Sequence, residues 1–209
     1  MRHFLYAMLC PILFCSTLVG GETLRKVAGN RVLVGCAIAT VDIGNPKLIA
    51  LVAEQFDCIT PEYELMPGLM VDDDGKFTFE RGDRIVAFAE SQHMPVFGHM
   101  LVWHFVSRKW LFEDQTGKPL PREKALLNLK NYIDAVMGHY KGRIRAWCVV
   151  NEAISDKDGE FLKDTPARRA IGEDYVERAF EYSSSQFRVP EIARTELRPL
   201  LLPSIQQVA

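Results

Sequence analysis

The stretches VFGHMLVWH (residues 96–104) and RAWCVVNEA (residues 145–153) are apolar runs of strand length that each end in polar residues. Between them, residues 123–140 place apolar side chains on one face at the 3.6-residue spacing of a helix. That face is formed by Leu126, Leu129, Ile133, Val136, Met137 and Tyr140. A strand, a helix and a second strand in this order predict a βαβ unit with parallel strands.

The same alternation runs through the rest of the chain. Strands are predicted at Arg31–Ala39 and Cys58–Leu65. Helices are predicted from an Asn45-Pro46 start through Leu48–Phe56, at Phe79–Gln92 and at Ala167–Ser184. The chain is therefore predicted to be an α/β protein with a parallel sheet, either doubly wound or a barrel. No GxGxxG follows the first strand, which disfavours a dinucleotide-binding fold.

The composition is that of an ordinary soluble protein. Apolar residues make up 48% and charged residues 25% of the 209 residues, which excludes disordered, collagenous and polytopic membrane proteins. A formal net charge of −2 with no basic run gives no indication of a nucleic-acid partner. The length lies below the roughly 250 residues of a closed (β/α)8 barrel, and four βα units are half of eight.

Residues 1–21 have the layout of a secretory signal peptide, with a basic start, an apolar run and small residues at the end. The alternative is an uncleaved anchor, since the run approaches the ~20 residues that span a bilayer. Cleavage predicts a secreted protein, extracellular or periplasmic. It would leave Cys36, Cys58 and Cys148, which lack zinc-site spacing and are predicted to be small buried residues on strands.

Polar residues gather where the predicted strands end. Glu62 and Glu64 close the second strand, His99, Trp103 and His104 the third, and Asn151 and Glu152 the fourth. The carboxyl ends of parallel strands lie at one edge of the sheet, where α/β proteins bind their ligands. These side chains therefore predict a cleft at that edge.

The segments that carry these residues resemble a known family. FGHMLVWH, followed by Trp110-Leu111-Phe112, is similar to the third-strand signature of glycoside hydrolase family 10, the endo-1,4-β-xylanases. RAWCVVNEAI resembles its fourth-strand motif, usually WDVVNEA, and ITPEYELM resembles its second-strand ENEMK segment. The resemblance implies a (β/α)8 TIM-barrel type of fold, truncated to about the first four βα units. Residues 22–185 would then form a partial catalytic domain.

The resemblance also implies a chemistry. Family 10 enzymes hydrolyse the β-1,4 bonds of xylan with retention, which requires an acid/base and a nucleophilic carboxylate about 5–5.5 Å apart. Glu152 matches the general acid/base, which needs a desolvated site or a nearby negative charge to keep its proton at neutral pH. Asn151 matches the amide that contacts the sugar 2-hydroxyl. No cofactor and no metal is implied.

Further residues match the walls of the cleft. His99 and Trp103 match residues that line the side of the bound sugar, and His104 matches a histidine that orders the site. Glu62 matches a supporting glutamate. For Glu62 and Glu64, an ion pair on the rim is an equally good interpretation.

Several positions depart from the family pattern. Tyr63 stands in place of Asn, Met66 in place of Lys, and Cys148 in place of the Asp of WDVVNEA. Val106 replaces the Gln that follows a His-Ser pair. The first two changes remove contacts to the sugar, each worth ~1–3 kcal/mol. They indicate a substrate other than plain xylan or relaxed selection on the site.

The C-terminal segment is predicted to lie outside the family. The nucleophilic Glu is expected on a seventh strand, whereas residues 186–209 read as an unrelated or frameshifted tail, so the nucleophile is predicted to be absent from this chain. Three hypotheses follow: a secreted xylanase, a catalytically dead remnant that is at most a weak carbohydrate-binding half-barrel, or a polypeptide that does not fold stably. A half-barrel would have an open strand edge and an exposed apolar face, through which it could pair with another half-barrel or aggregate.

Overall fold

A computed structural model describes residues 21–29 and 32–186. Its four strands form one parallel sheet in the order β1-β2-β3-β4, which confirms the predicted parallel arrangement. The strands are β1 (Gly35–Ile38), β2 (Cys58–Pro61), β3 (Val96–Val102) and β4 (Ile144–Val150). The predicted signal peptide, apart from Gly21, and the predicted tail beyond Gln186 lie outside the described residues.

One helix precedes the first strand, and helices follow each of the four strands along the described chain. They are α1 (Leu24–Ala28), α2 (Pro46–Gln55), α3 (Pro67–Met70), α4 (Glu80–Ser91), α5 (Arg122–His139), α6 (Pro166–Ile171) and α7 (Tyr175–Gln186). The start of α2 is set by Asn45, whose side chain accepts a hydrogen bond from the Leu48 amide at 3.3 Å, and by the proline that follows it. In the described part of the chain, no helix is long and apolar enough to cross a membrane.

Three predicted boundaries are wrong. The first strand begins at Gly35 rather than Arg31, because the Val34 amide donates to the Asp57 carboxylate at 3.3 Å instead of to a strand carbonyl. The helix expected over Ala167–Ser184 is two helices, because Gly172 has a φ of +114° and ends α6. The second strand ends at Pro61 rather than Leu65, and the Met66 amide then donates to the Tyr63 carbonyl at 2.9 Å in a turn. Pro61 has no amide hydrogen to donate, and the Glu62 amide still donates to the Ile38 carbonyl of β1 at 2.9 Å before the chain turns away.

One side of the sheet is covered by helices. We call it the helix-facing side; Ile59, Val96 and Ile144 point into it and are buried. From α5 it receives Leu129, Tyr132, Ile133 and Val136, all inaccessible to solvent. Gly98 faces this side as well, opposite its register partner Trp147 on β4. A Cβ added at Gly98 would lie 2.3 Å from the Trp147 ring.

The opposite side, which we call the open side, lines a concave cavity with Ala37, Thr60, Phe97 and His99. Cys148 is the register partner of His99 and is half-buried beside it. Small and polar side chains lie beside larger apolar ones on this side. Its surface is therefore only partly apolar, whereas an exposed apolar face was expected.

The three cysteines of the described region lie on strands, as predicted, but only Cys58 is buried, while Cys36 and Cys148 are half-buried. Cys36, Cys58 and Cys148 belong to β1, β2 and β4, and all three are free thiols. Burial is the main cause that raises the pKa of each thiol, because the thiolate loses solvation. Thiols with raised pKa values are poor nucleophiles, which fits a packing role.

Candidate active site

The ends of β3 and β4 bring the predicted acid/base against an indole. Val102 pairs with Val150 in the sheet, and the Asn151 amide extends the ladder to the Val102 carbonyl at 2.9 Å. Trp103 and Glu152 therefore leave the sheet side by side, and Trp103 Nε1 donates a hydrogen bond to Glu152 Oε2 at 3.0 Å. This contact joins residues 49 positions apart in the chain.

The backbone of Glu152 is in an unusual conformation. Its φ of 51° lies in the left-handed region, which costs a non-glycine residue roughly 1–2 kcal/mol. Such strain persists where the surrounding structure imposes it, and it concentrates at functional sites. At this point the chain turns from β4 into the loop beyond it.

A hairpin after β4 adds a residue that the sequence argument missed. Ile154 bridges Leu162 in antiparallel fashion, and the Lys163 amide donates to the Ala153 carbonyl at 2.8 Å. Lys163 Nζ consequently lies 4.0 Å from Glu152 Oε2 and 2.9 Å from Asp156 Oδ2. Only the folding of the hairpin makes this lysine a neighbour of Glu152.

The surroundings of Glu152 differ from those expected of a protonated acid. Its side chain is 44% exposed, and the charge beside it is the ammonium of Lys163. A hydrogen bond to Asp156 and the charges of Asp156 and Glu152 raise the pKa of Lys163, outweighing desolvation, so the ammonium stays charged. The described half of the fold therefore supplies neither the desolvation nor the negative charge that was expected to hold the proton.

A tight turn follows Trp103. The amides of Val106 and Ser107 both donate to the Trp103 carbonyl, at 3.2 and 3.0 Å, and Ser107 Oγ donates to the same oxygen at 2.8 Å. His104 lies in this turn. Burial, followed by the positive charge of Lys163, lowers its pKa, and Glu152 opposes the shift. The lowered pKa keeps the imidazole neutral near pH 7, which suits an ordering role through hydrogen bonds.

The two glutamates after β2 have different surroundings. Glu62 is exposed and accepts a hydrogen bond from Tyr63 Oη at 2.6 Å, which is the main cause that raises the pKa of Tyr63. Glu64 is 5% exposed, and its Oε1 accepts 2.5 Å hydrogen bonds from the amide and the hydroxyl of Thr40. Among residues 21–29 and 32–186 neither forms an ion pair with Lys or Arg, so the predicted rim ion pair is not formed there.

The predicted site residues fall into two groups. His99 and Glu62 line the cavity on the open side, and burial lowers the pKa of His99. Trp103, His104 and Asn151 line a smaller cavity between the sheet edge and α6. Trp103 joins the second group to Glu152 through its indole N–H. Glu152 is the predicted catalytic carboxylate that the structure places; the sequence predicts no nucleophile in this chain, and the residues beyond Gln186 lie outside the described part.

Comparison with known proteins decides the family. The sequence profile of Glycosyl hydrolase family 10 matches residues 23–188. This chain belongs to glycosyl hydrolase family 10. It is similar to Endo-1,4-beta-xylanase B of Paenibacillus barcinonensis, with 42% identity over 158 residues, 76% of this chain and 47% of that protein.

Solved structures agree. The crystal structure of xylanase XynB from Paenibacillus barcinonensis, complexed with a conduramine derivative, superimposes with a TM-score of 0.74 at 35% identity. The match covers 80% of this chain and 50% of the xylanase XynB chain. A mutant of TsXylA, an intracellular xylanase from Thermoanaerobacterium saccharolyticum in complex with xylotriose, matches with a TM-score of 0.73 at 30% identity, covering 80% of this chain and 54% of that one.

The chain therefore spans about half the length of these relatives. The four parallel strands of the described residues correspond to part of the family 10 TIM barrel, which confirms the TIM-barrel type of fold and the first four βα units predicted from the sequence. The resemblance of the strand-end motifs to family 10 is confirmed by the same matches. The roles assigned to individual residues stay predictions.

Proposed function

We propose that this family 10 glycoside hydrolase chain carries the acid/base half of an endo-1,4-β-xylanase site that hydrolyses xylan with retention. The observation that supports the proposal is the contact between Glu152 and Trp103 at the carboxyl ends of β3 and β4. It puts a carboxyl group, which gives and takes protons, against an aromatic ring, which binds the apolar face of a sugar.

In this proposal Glu152 protonates the oxygen of the leaving sugar. Asn151 contacts the sugar 2-hydroxyl, and that hydrogen bond strengthens as the oxocarbenium-like transition state forms. Trp103 stacks on the sugar, while His99 and Glu62 line the neighbouring cavity. The nucleophilic carboxylate comes from outside the described residues.

Lys163 has a role in the same step. Its ammonium, 4.0 Å from Glu152 Oε2, stabilises the carboxylate that remains once Glu152 has given up its proton. In a complete barrel, a wall opposite Glu152 would exclude water from the acid.

The test is release of reducing sugar from xylan by the full chain. We expect Glu152→Gln to lower the rate at least ~100-fold, since the amide donates no proton. Glu160→Gln is the matched control, because Glu160 is an exposed glutamate on the hairpin that follows β4. An active chain whose rate is unchanged by Glu152→Gln would refute the assignment.

The second candidate function is carbohydrate binding without hydrolysis. It is favoured by the Tyr63 hydroxyl, which is engaged with Glu62 where the family carries Asn, and by the exposure of Glu152. Calorimetry with xylohexaose would then show binding, while chromatography of the same mixture after a day would show no shorter products. Product formation that depends on Glu152 would exclude this candidate.

Self-association through the open side and secretion belong to the same proposal. Sedimentation over a range of protein concentrations tests the first, and a species that stays monomeric throughout would contradict it. N-terminal sequencing of protein recovered outside the producing cell tests the second, with a mature start near Glu22 expected. The intracellular TsXylA shows that membership of the family does not decide the compartment.

A further inference from the structure

Phe105 is a large apolar side chain exposed at the rim of the site. Phe105 is 71% accessible to solvent, although its ring lies close to the side chains of Trp103 and His104. The ring centre lies 5.3 Å from that of Trp103, with the planes at 81°, and 4.2 Å from that of His104. Phe105 therefore adds an exposed aromatic surface next to the indole that binds Glu152.

The turn that carries Phe105 is held in place. Three hydrogen bonds from Val106 and Ser107 are donated to the Trp103 carbonyl. Arg108, which follows Ser107, donates from Nε to the Val71 carbonyl at 2.7 Å. On the same turn, the Val106 carbonyl packs so closely on Gly68 that an added Cβ would lie 3.0 Å from it. The backbone that carries the ring is thus held before any ligand arrives, which lowers the ordering cost of binding.

Exposed phenylalanines elsewhere do not share this setting. Phe161 and Phe180 are 74% and 53% exposed, and within the described ranges neither makes a ring contact with another aromatic side chain. Phe105 alone among these three is continuous with the predicted sugar-binding indole. The family pattern places Ser at this position, before the Gln replaced by Val106, so the ring is a feature of this chain.

We propose that Phe105 extends the stacking surface of Trp103 and binds the apolar face of one further pyranose of a β-linked polysaccharide. A pyranose in such a chain exposes C–H groups on its faces, and these pack on aromatic rings while the hydroxyls stay in water. The edge-to-face arrangement turns the two rings at nearly a right angle, so they contact different sugar units. The inference rests on the function proposed above and deepens it by adding a sugar subsite.

The test is the affinity of the full chain for xylooligosaccharides of two to six units, measured by calorimetry. We expect Phe105→Ala to weaken binding of the longer oligosaccharides about five- to tenfold and that of xylobiose less than twofold. Phe105→Trp should restore the affinity, and Phe105→Leu should restore little of it, because it keeps apolar area but lacks a ring. Phe180→Ala is the matched control, with the same change on an exposed face of α7.

Each other outcome overturns the inference. Equal affinities of wild type and Phe105→Ala at every length, with Glu152→Gln still abolishing hydrolysis, would leave the proposed function intact and remove the subsite. Full rescue by Phe105→Leu would show that no ring is needed. Loss of a dimer in Phe105→Ala would show that a second chain covers the ring. Absence of binding and hydrolysis in the wild type would remove the proposed function together with the subsite.

Discussion

The two sides of the sheet differ in what covers them. Leu129 and Ile133 of α5 are inaccessible on the helix-facing side, whereas Phe97, His99 and Cys148 are half-buried on the open side. The helix-facing side is built from βα units that are neighbours in sequence, so each unit brings its own cover. Among the described residues, the open side forms a concave cavity instead of packing under a layer of helices. Stability of the described part therefore comes from one side of the sheet, while the predicted chemistry depends on the other side and its rim.

The largest effect is expected at the helix-facing side. Leu129→Ala should lower the free energy of unfolding by about 3 kcal/mol, because it leaves a cavity in the buried layer. Urea unfolding followed by circular dichroism measures this loss. Leu127→Ala, on the same helix but 52% exposed, should change stability by less than about 0.5 kcal/mol. Similar losses for the two variants would show that α5 does not pack as described.

The next effect tests the close approach of β3 and β4. Gly98→Ala should cost about 2 kcal/mol, since the new methyl group would overlap the Trp147 ring. Gly138→Ala in α5 meets no atom within 4 Å and should stabilise the protein by up to about 1 kcal/mol. Melting curves of the two variants should therefore move in opposite directions. A stabilised Gly98→Ala would contradict the packing of the Trp147 ring on β3.

A smaller effect is expected on the open side. Phe97→Ala should cost about 1 kcal/mol in dilute solution, because the ring is already partly in water and less apolar area is lost. If chains associate through this side, the loss will grow with protein concentration, which unfolding at two concentrations detects. A loss as large as that of Leu129→Ala at every concentration would mean that the open side is covered within one chain.

The smallest effect concerns pH. Burial lowers the pKa of His99 and His104 in the folded protein, so the unfolded chain binds more protons below about pH 6.5. Stability should be highest above that pH and fall as the pH drops towards the lowered folded values, by less than about 1 kcal/mol per histidine. The double variant His99→Gln with His104→Gln should show a flatter profile of unfolding free energy between pH 7 and 5. Leu127→Ala should keep the wild-type slope, and an unchanged slope in the double variant would contradict the assignment.

Local patterns predicted most of the fold. The period of α5, the Asn45-Pro46 start of α2 and the apolar runs of β3 and β4 are all visible in consecutive residues. The errors occurred where one residue overrides a longer pattern. Gly172 interrupts an apolar period that continues on both sides of it, and β2 ends at Pro61 although alternating polar and apolar residues continue to Leu65.

The sequence predicted which residues belong to the site better than it predicted the contacts between them. Strand ends and family motifs indicated Glu152, Asn151 and Trp103, which the structure places at one edge. Lys163 was missed because its approach to Glu152 depends on the hairpin, which no motif marks. Phe105 was visible as an apolar residue after a motif, but its exposure was not, since apolar residues next to strands are usually buried.

The sequence by itself determined the α/β alternation, the parallel sheet, the family and the carboxylate expected to act as acid. Each of these depends on residue types at short spacings, which local conformational preferences and motifs reveal. The tertiary structure decided which groups surround that carboxylate. The Trp103 indole, 49 residues away in the chain, donates to it, the hairpin after β4 brings Lys163 close to it, and the exposed Phe105 ring lies against the indole. These contacts join distant segments, so they arise only when the strands pair and their ends meet.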